Sequence, residues 1–211
     1  MKKICLLVLI LLAIDANSQN SLPVEIVAGN NKLTTDVLWF RPIKQKNSQA
    51  KTPWLFFNRS RAAVDYSNST SFTVTNAISY NFKNKLGLVW ANQFLQTGFV
   101  SKLGVQYFTP FKNGSFFTWM VAGKNTYQYF SADWFALTRW QPPLNKKLKW
   151  FLQSELFISR DEKQNNNFIQ RARIGCSKNI TQVGLAADYS RNKTNILQVT
   201  ETYGIFIRHE F

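Results

Sequence analysis

From Trp54 to its last residue the chain repeats one device: a run in which alternate residues differ in polarity, closed by a short turn and begun again. Period-2 alternation places successive side chains on opposite faces of a strand, so each run reads as a strand with one apolar and one polar face. Ser71 to Phe82 is a clear case, with Phe72, Val74, Ile78 and Tyr80 set against Thr73, Thr75, Ser79 and Asn81. Long strands joined by short turns, with no helical periodicity after residue 18, require each strand to pair antiparallel with the next.

The runs from Trp54 onward number ten, and Val24 to Ala28 and Leu33 to Phe40 add one or two more. The first two are separated by Gly29-Asn30-Asn31, a turn signal that leaves open whether they form two strands or one bent strand. Lys44 to Thr52 is the longest polar stretch and is expected to be a loop, as is Asp161 to Asn167. Thr126 to Trp140 reads as one long strand, and Pro142-Pro143 cannot continue a ladder.

Eighteen Phe, seven Trp and seven Tyr are a heavy aromatic load for 211 residues, yet the mean hydropathy is only -0.22. Apolar and polar positions that alternate cancel in an average, as they do in a barrel whose strands face lipid on one side and a polar lumen on the other. The expected fold is therefore all-β: an up-and-down antiparallel transmembrane barrel, closed so that no sheet edge is left. With both termini at the periplasmic end the strand count is even, which favours 12 with 10 as the alternative. Trp54, Tyr66, Tyr80, Trp140, Trp150, Tyr189 and Tyr203 fall near strand ends, where interfacial aromatic girdles sit. A soluble sandwich would have shorter strands.

Met1 to Ser18 reads as a cleaved secretory signal: Lys2 and Lys3, an apolar run from Ile4 to Ile14, and the small residues of Ala16-Asn17-Ser18. Residues 19–211 then form a single barrel domain. The apolar run is shorter than the roughly 20 residues needed to span a bilayer. Cleavage removes Cys5 and leaves Cys176 without a partner, so no intramolecular disulfide is expected.

The formal charge is +15; loss of Lys2, Lys3 and Asp15 with the signal would leave about +14. The basic residues are spread through turns, Lys83, Lys85, Lys112, Lys146, Lys147 and Lys178 among them, and do not cluster on one element. Nucleic acid is accordingly not expected as a partner. Lipopolysaccharide and phospholipid headgroups of the outer membrane are the expected counter-charge.

The final strand, Thr200 to Phe211, sets Tyr203, Ile205, Ile207 and terminal Phe211 against Thr202, Gly204, Arg208 and Glu210. A closing strand of this kind that ends on Phe resembles the C-terminal signature of Gram-negative outer-membrane β-barrels. That resemblance implies the outer membrane as location and the barrel-assembly machinery as a partner. The stretch Pro53 to Tyr66, PWLFFNRSRAAVDY, is similar to short outer-membrane proteins of Bacteroidetes. This likeness implies a fold and a place and carries no activity; it leaves room for envelope protein partners.

One polar constellation stands out. Arg59, Arg61, Arg139, Arg171, Arg173 and Arg208 share lumen parity with Asp65, Asp133, Glu155, Asp188 and Glu210. Charges removed from water must be paired and hydrogen-bonded, so these residues are expected to form a salt-bridged plug. An arginine ladder lining a narrow anion-preferring pore is the alternative. No catalytic role is expected: the one histidine, His209, lies two residues from the end, and no GxSxG, phosphate loop, metal-ligand spacing or cofactor motif occurs. Two other readings are a soluble exported barrel with its aromatic face inward around a small apolar ligand, and a lipid hydrolase with His209 as its base.

Overall fold

The computed structural model describes residues 22–211 apart from 45–50, 68, 97, 126–128, 164 and 194–195. The expected signal therefore lies outside the described residues. Twelve strands are present: β1 Pro23–Gly29, β2 Lys32–Lys44, β3 Lys51–Asp65, β4 Thr70–Asn81, β5 Leu86–Leu95 and β6 Gly98–Phe111, followed by β7 Gly114–Asn125, β8 Phe130–Trp140, β9 Lys149–Asp161, β10 Asn166–Lys178, β11 Thr181–Lys193 and β12 Leu197–Glu210. Each strand pairs antiparallel with its chain neighbour, and β1 pairs with β12 to close the sheet. At the seam Ile26 faces Ile207, and beyond the strand ends the Leu22 and Phe211 backbones exchange N–H···O bonds of 2.9 and 3.0 Å. The barrel thus has no free edge along its seam, and both described ends of the chain leave at one rim.

Val24 to Ala28 and Leu33 to Phe40 are two strands, with the turn at Asn30-Asn31 between them. The ladder runs further into the polar stretch after β2 than expected, since Lys44 still faces Lys51; residues 45–50 lie outside the described residues. β8 begins at Phe130, four residues later than Thr126, and residues 126–128 are likewise outside. Pro142-Pro143 falls after β8 ends, as its missing N–H requires. Tight turns use residues that tolerate left-handed backbone: Asn113 (φ 62) and Asn179 (φ 54) close the β6–β7 and β10–β11 hairpins.

The outer surface is apolar, with Leu103 at 67% and Leu185 at 63% exposure. Trp90 and Trp134, on this face, donate their indole N–H groups to Ser101 Oγ (2.9 Å) and Thr118 Oγ1 (3.0 Å), each on a neighbouring strand. Such internal partners are what hydrocarbon demands, since it offers none. Aromatics collect at both rims. Trp54, Tyr80, Trp140 and Trp150 lie at strand ends near the termini, while Tyr66, Phe72, Phe94 and Phe130 lie at the opposite ends.

Inside, the barrel is filled rather than hollow, and one part of its filling is apolar. Leu38, Phe57, Phe117, Trp119, Val121, Phe135 and Leu137 form a buried cluster with Phe40 and Phe157 packed against it. Across the barrel Phe151 and Phe206, both with 0% exposure, pack with Val27 and Ala186. The expected network named charged residues alone; inward-facing aromatics stand beside them and supply packed volume.

Several glycines take inward positions where the neighbouring strand's backbone comes close. Gly175 faces Gly184 across β10 and β11. A Cβ on Gly184 would run into the Ile174 carbonyl oxygen and the Gly175 Cα, both backbone atoms that cannot step aside. Replacing Gly184 by Val is therefore expected to cost about 1–3 kcal/mol, the usual range for overpacking, read as a lowered urea midpoint for unfolding from detergent micelles. An unchanged midpoint would show that β10 and β11 are free to part.

Candidate functional site

Four guanidinium groups and four carboxylates meet in the middle of the lumen. Part of their arrangement follows from register. Arg171 on β10 has Glu155 of β9 as its partner on one side and Asp188 of β11 on the other, and Arg61 on β3 faces Asp36 on β2. Inward residues directly opposite on neighbouring strands lie within reach of each other. Arg171 Nη1 bonds Glu155 Oε1, and Arg61 Nη1 lies 3.2 Å from Asp36 Oδ2.

The remaining bonds cross the barrel. In a ring of twelve, β3 and β9 are six strands apart in either direction, yet Arg59 Nη1 lies 2.9 Å from Glu155 Oε1. That ion pair spans the diameter. Arg59 also grips Asp36 with two bonds, Nε to Oδ1 at 3.1 Å and Nη2 to Oδ2 at 2.5 Å. Arg61 Nη2 reaches Asp188 Oδ2 at 2.8 Å. Arg173 joins Glu25 of β1 (2.9 Å) to Asp188 (2.6 Å).

Glu155 retains 1% exposure and Arg173 4%. Each carboxylate touches at least one guanidinium, and the four positive charges equal the four negative ones. Like-charged arginines two residues apart on one strand would repel. Here Asp36 lies between Arg59 and Arg61, and Asp188 between Arg171 and Arg173.

Asp133 stands apart from this group and is held by Lys102 Nζ at 2.6 Å and by the Gln93 amide at 3.1 Å, all three side chains being buried. Toward the terminal rim, Arg139 and Arg208 both donate to Gln153 Oε1 and sit 5.9 and 5.7 Å from the Phe151 ring centre. Glu210, on the same strand as Arg208, acts on both guanidiniums through its charge. Asp65 shares the lumen parity but is the last residue of β3. Its carboxylate accepts bonds from the Ser67 N–H and hydroxyl at 3.0 and 3.1 Å and serves the turn, so its place in the lumen network is corrected.

Glu25, Asp36 and Lys102 were not in the expected set. Asp36 and Lys102 sit on the polar parity of their strands, a signal that could have found them. Glu25 lies in an otherwise apolar run whose second inward residue is Val27, so alternation gave no cue. Above the network, at the end away from the termini, lies a cup of about 360 Å³ whose floor and walls include Arg59, Arg171, Lys102, Trp119 and Phe135. His209 is remote from all of this. Its Nδ1 lies 2.9 Å from the Thr181 hydroxyl, and its ring meets Phe211 edge-on with centres 4.7 Å apart. Among the described residues no cluster of three or more His, Cys, Asp or Glu side chains could hold a metal ion.

Removing one partner of a buried ion pair leaves the other charge unmatched. Glu155→Ala, which strips the shared partner from Arg59 and Arg171, is expected to cost about 3–5 kcal/mol, and Asp133→Ala a similar amount through Lys102. Urea unfolding of the barrel in micelles measures both. Losses below about 1 kcal/mol would mean that water already solvates these groups.

No protein-family model and no curated protein matches this sequence. Solved structures do resemble it in shape. The NanC porin, crystallised in a rhombohedral form, superposes with a TM-score of 0.53 at 10% identity, over 91% of this chain and 100% of that one. The KdgM porin in complex with disordered oligogalacturonate gives 0.48 at 8% identity, over 90% of this chain and 99% of that one. At such identities the likeness is one of architecture: the chain has the closed, twelve-stranded antiparallel fold of an outer-membrane β-barrel.

Proposed function

We propose that this protein is a non-enzymatic outer-membrane barrel with a closed lumen, acting as a structural element of the envelope or as a subunit of a larger assembly there. The observation that carries the reading is the Arg59–Glu155 pair, which ties two diametrically opposite strands together at 2.9 Å. Nearer the terminal rim the bore is further filled by edge-on and tilted rings: Phe57 to Trp119 at 5.0 Å, Phe40 to Phe117 at 5.2 Å, Phe151 to Phe206 at 5.5 Å. A conducting pore needs a continuous wet path lined by charge, and the buried aromatic clusters favour closure over such a path.

Two other readings fit the geometry less well. A soluble barrel with its outer face in water would expose Ile174, Leu185 and Ile205 at more than half their surface while burying Arg173, an apolar area that water disfavours. A hydrolase with His209 as base has the Thr181 hydroxyl beside the ring, but the ring's other contact is Phe211 at the terminal rim, where a group that orients the base would be needed.

Planar-bilayer recording tests the closure. The unaltered protein is expected to give no steady ohmic current, and Phe117→Ala combined with Trp119→Ala is expected to open one by removing two large rings from the stopper. An anion-selective current from the unaltered protein would replace the plug with the pore reading.

A further inference from the structure

The charge surplus of this chain is not spread evenly over its two rims. Five connections lie at the rim where both described ends of the chain leave, and each holds or borders lysine. Lys44 and Lys51 face each other where β2 and β3 part. Lys83 and Lys85 hold the β4–β5 turn, Lys112 the β6–β7 turn, and Lys178 precedes the β10–β11 turn. Lys146, Lys147 and Lys149 carry the β8–β9 connection. None of these five connections contains an acid. The six connections of the opposite rim hold Lys163 with Glu162 beside it, and border Lys32 and Lys193, with Lys124 one residue inside β7. Asp65 and Asp161 at strand ends, and Glu201 further along β12, set negative charge against those lysines there.

The lumen does not account for the surplus, since its central arginines are matched by carboxylates. At the terminal rim Lys83, Lys85, Lys112, Lys146, Lys147 and Lys149 are all exposed. One hydrogen bond there runs from Lys85 to a hydroxyl, that of Thr109 at 3.0 Å, which leaves its charge unbalanced. Directly inboard of the lysines stand the aromatics of the same rim. Trp54 packs edge-on with Tyr80 at 5.1 Å and Tyr80 with Phe82 at 5.5 Å beside Lys83, and Trp140 and Trp150 flank Lys146 to Lys149.

We infer that the terminal rim is a binding collar for anionic phospholipid headgroups. An aromatic girdle marks headgroup depth on a membrane protein, and ammonium groups just beyond it meet lipid phosphates as point charges that carry three donors each. The attraction of each lysine to an anionic surface is short-ranged and screened by salt. Because the termini of such barrels are expected on the periplasmic side, the headgroups concerned belong to the phospholipid leaflet rather than to lipopolysaccharide. The inference rests on the outer-membrane reading and is independent of whether the lumen conducts.

The test uses the refolded full barrel in neutral detergent, titrated with phosphatidylglycerol or phosphatidylcholine, with bound lipid counted by native mass spectrometry. Phosphatidylglycerol is expected to bind at least about tenfold more tightly at low salt, and high salt should shrink that ratio. Replacing Lys83, Lys85, Lys146, Lys147 and Lys149 together by Gln should abolish the preference. Replacing Lys124, Lys163 and Lys193 of the other rim should leave it intact. A heat-modifiable gel band confirms that each variant is folded. Equal binding of the two lipids, or a preference that survives the five-lysine change, would overturn the collar. So would inorganic polyphosphate that binds as tightly as the lipid, since that would make the rim a site for soluble polyanions. Bilayer current, measured separately, tells this failure from failure of the closed-lumen reading.

Discussion

Closing a sheet on itself by pairing β1 with β12 settles what every other residue must do. Once the ring is complete, alternate side chains are committed to an enclosed space, and each polar group among them loses water unless a partner stands within reach. Neighbours in register provide some of those partners, as Glu155 and Asp188 do for Arg171. The ring also brings together residues that are far apart along the sheet, and the Arg59–Glu155 bond exists because twelve strands make a bore that two long side chains can span. Closure and the ion-pair network therefore depend on each other.

Charge alone would be a poor filler. Desolvating two ions costs several kcal/mol per ion, and an apolar replacement of equal volume is often as stable. The barrel uses both materials. Phe57, Phe117, Trp119 and Phe135 pack one part of the interior, while the central arginines and acids fill another. The two meet where the Arg59 guanidinium lies 5.9 Å from the Phe135 ring centre, a position in which the ring face still favours the cation. The buried ions carry direction as well as volume: Arg59 joins β3 to β2 and to β9, and Arg173 joins β10 to β1 and to β11.

Much of this was legible in the sequence, because parity is a property of the chain itself. Arg59, Arg61, Arg171 and Arg173 could be placed on one face simply by counting in twos, and twelve strands were favoured over ten once the runs were joined to the even count that two termini at one rim require. Two things were not legible. Parity separates two faces but does not say that the inner one is polar, so Phe117 and Trp119, flanked by the equally apolar Phe116 and Met120, carried no sign of their direction. The identity of partners across the bore depends on shear and diameter, which only the closed sheet defines; hence Glu155 could not be matched to Arg59 in advance. Asp65 marks the opposite limit, where a residue of correct parity lies too near a turn to serve the interior.

The same closure explains where the net charge can go. Buried ions in the lumen need matching partners, and the central group is matched four against four. The lipid-facing wall tolerates almost none, and its positions are filled by Leu88, Leu103, Met120 and Ile205. A strongly basic chain folded in this way has only its rims for the excess, and the choice between rims is then free of any demand from folding. Lysine in or beside each connection of one rim with no acid in those connections, against lysines set beside acids at the other, is thus a feature that barrel stability does not require. It gives the molecule an axis, with a cup at one end and a collar of positive charge at the other, and that polarity belongs to its surroundings in the envelope rather than to its fold.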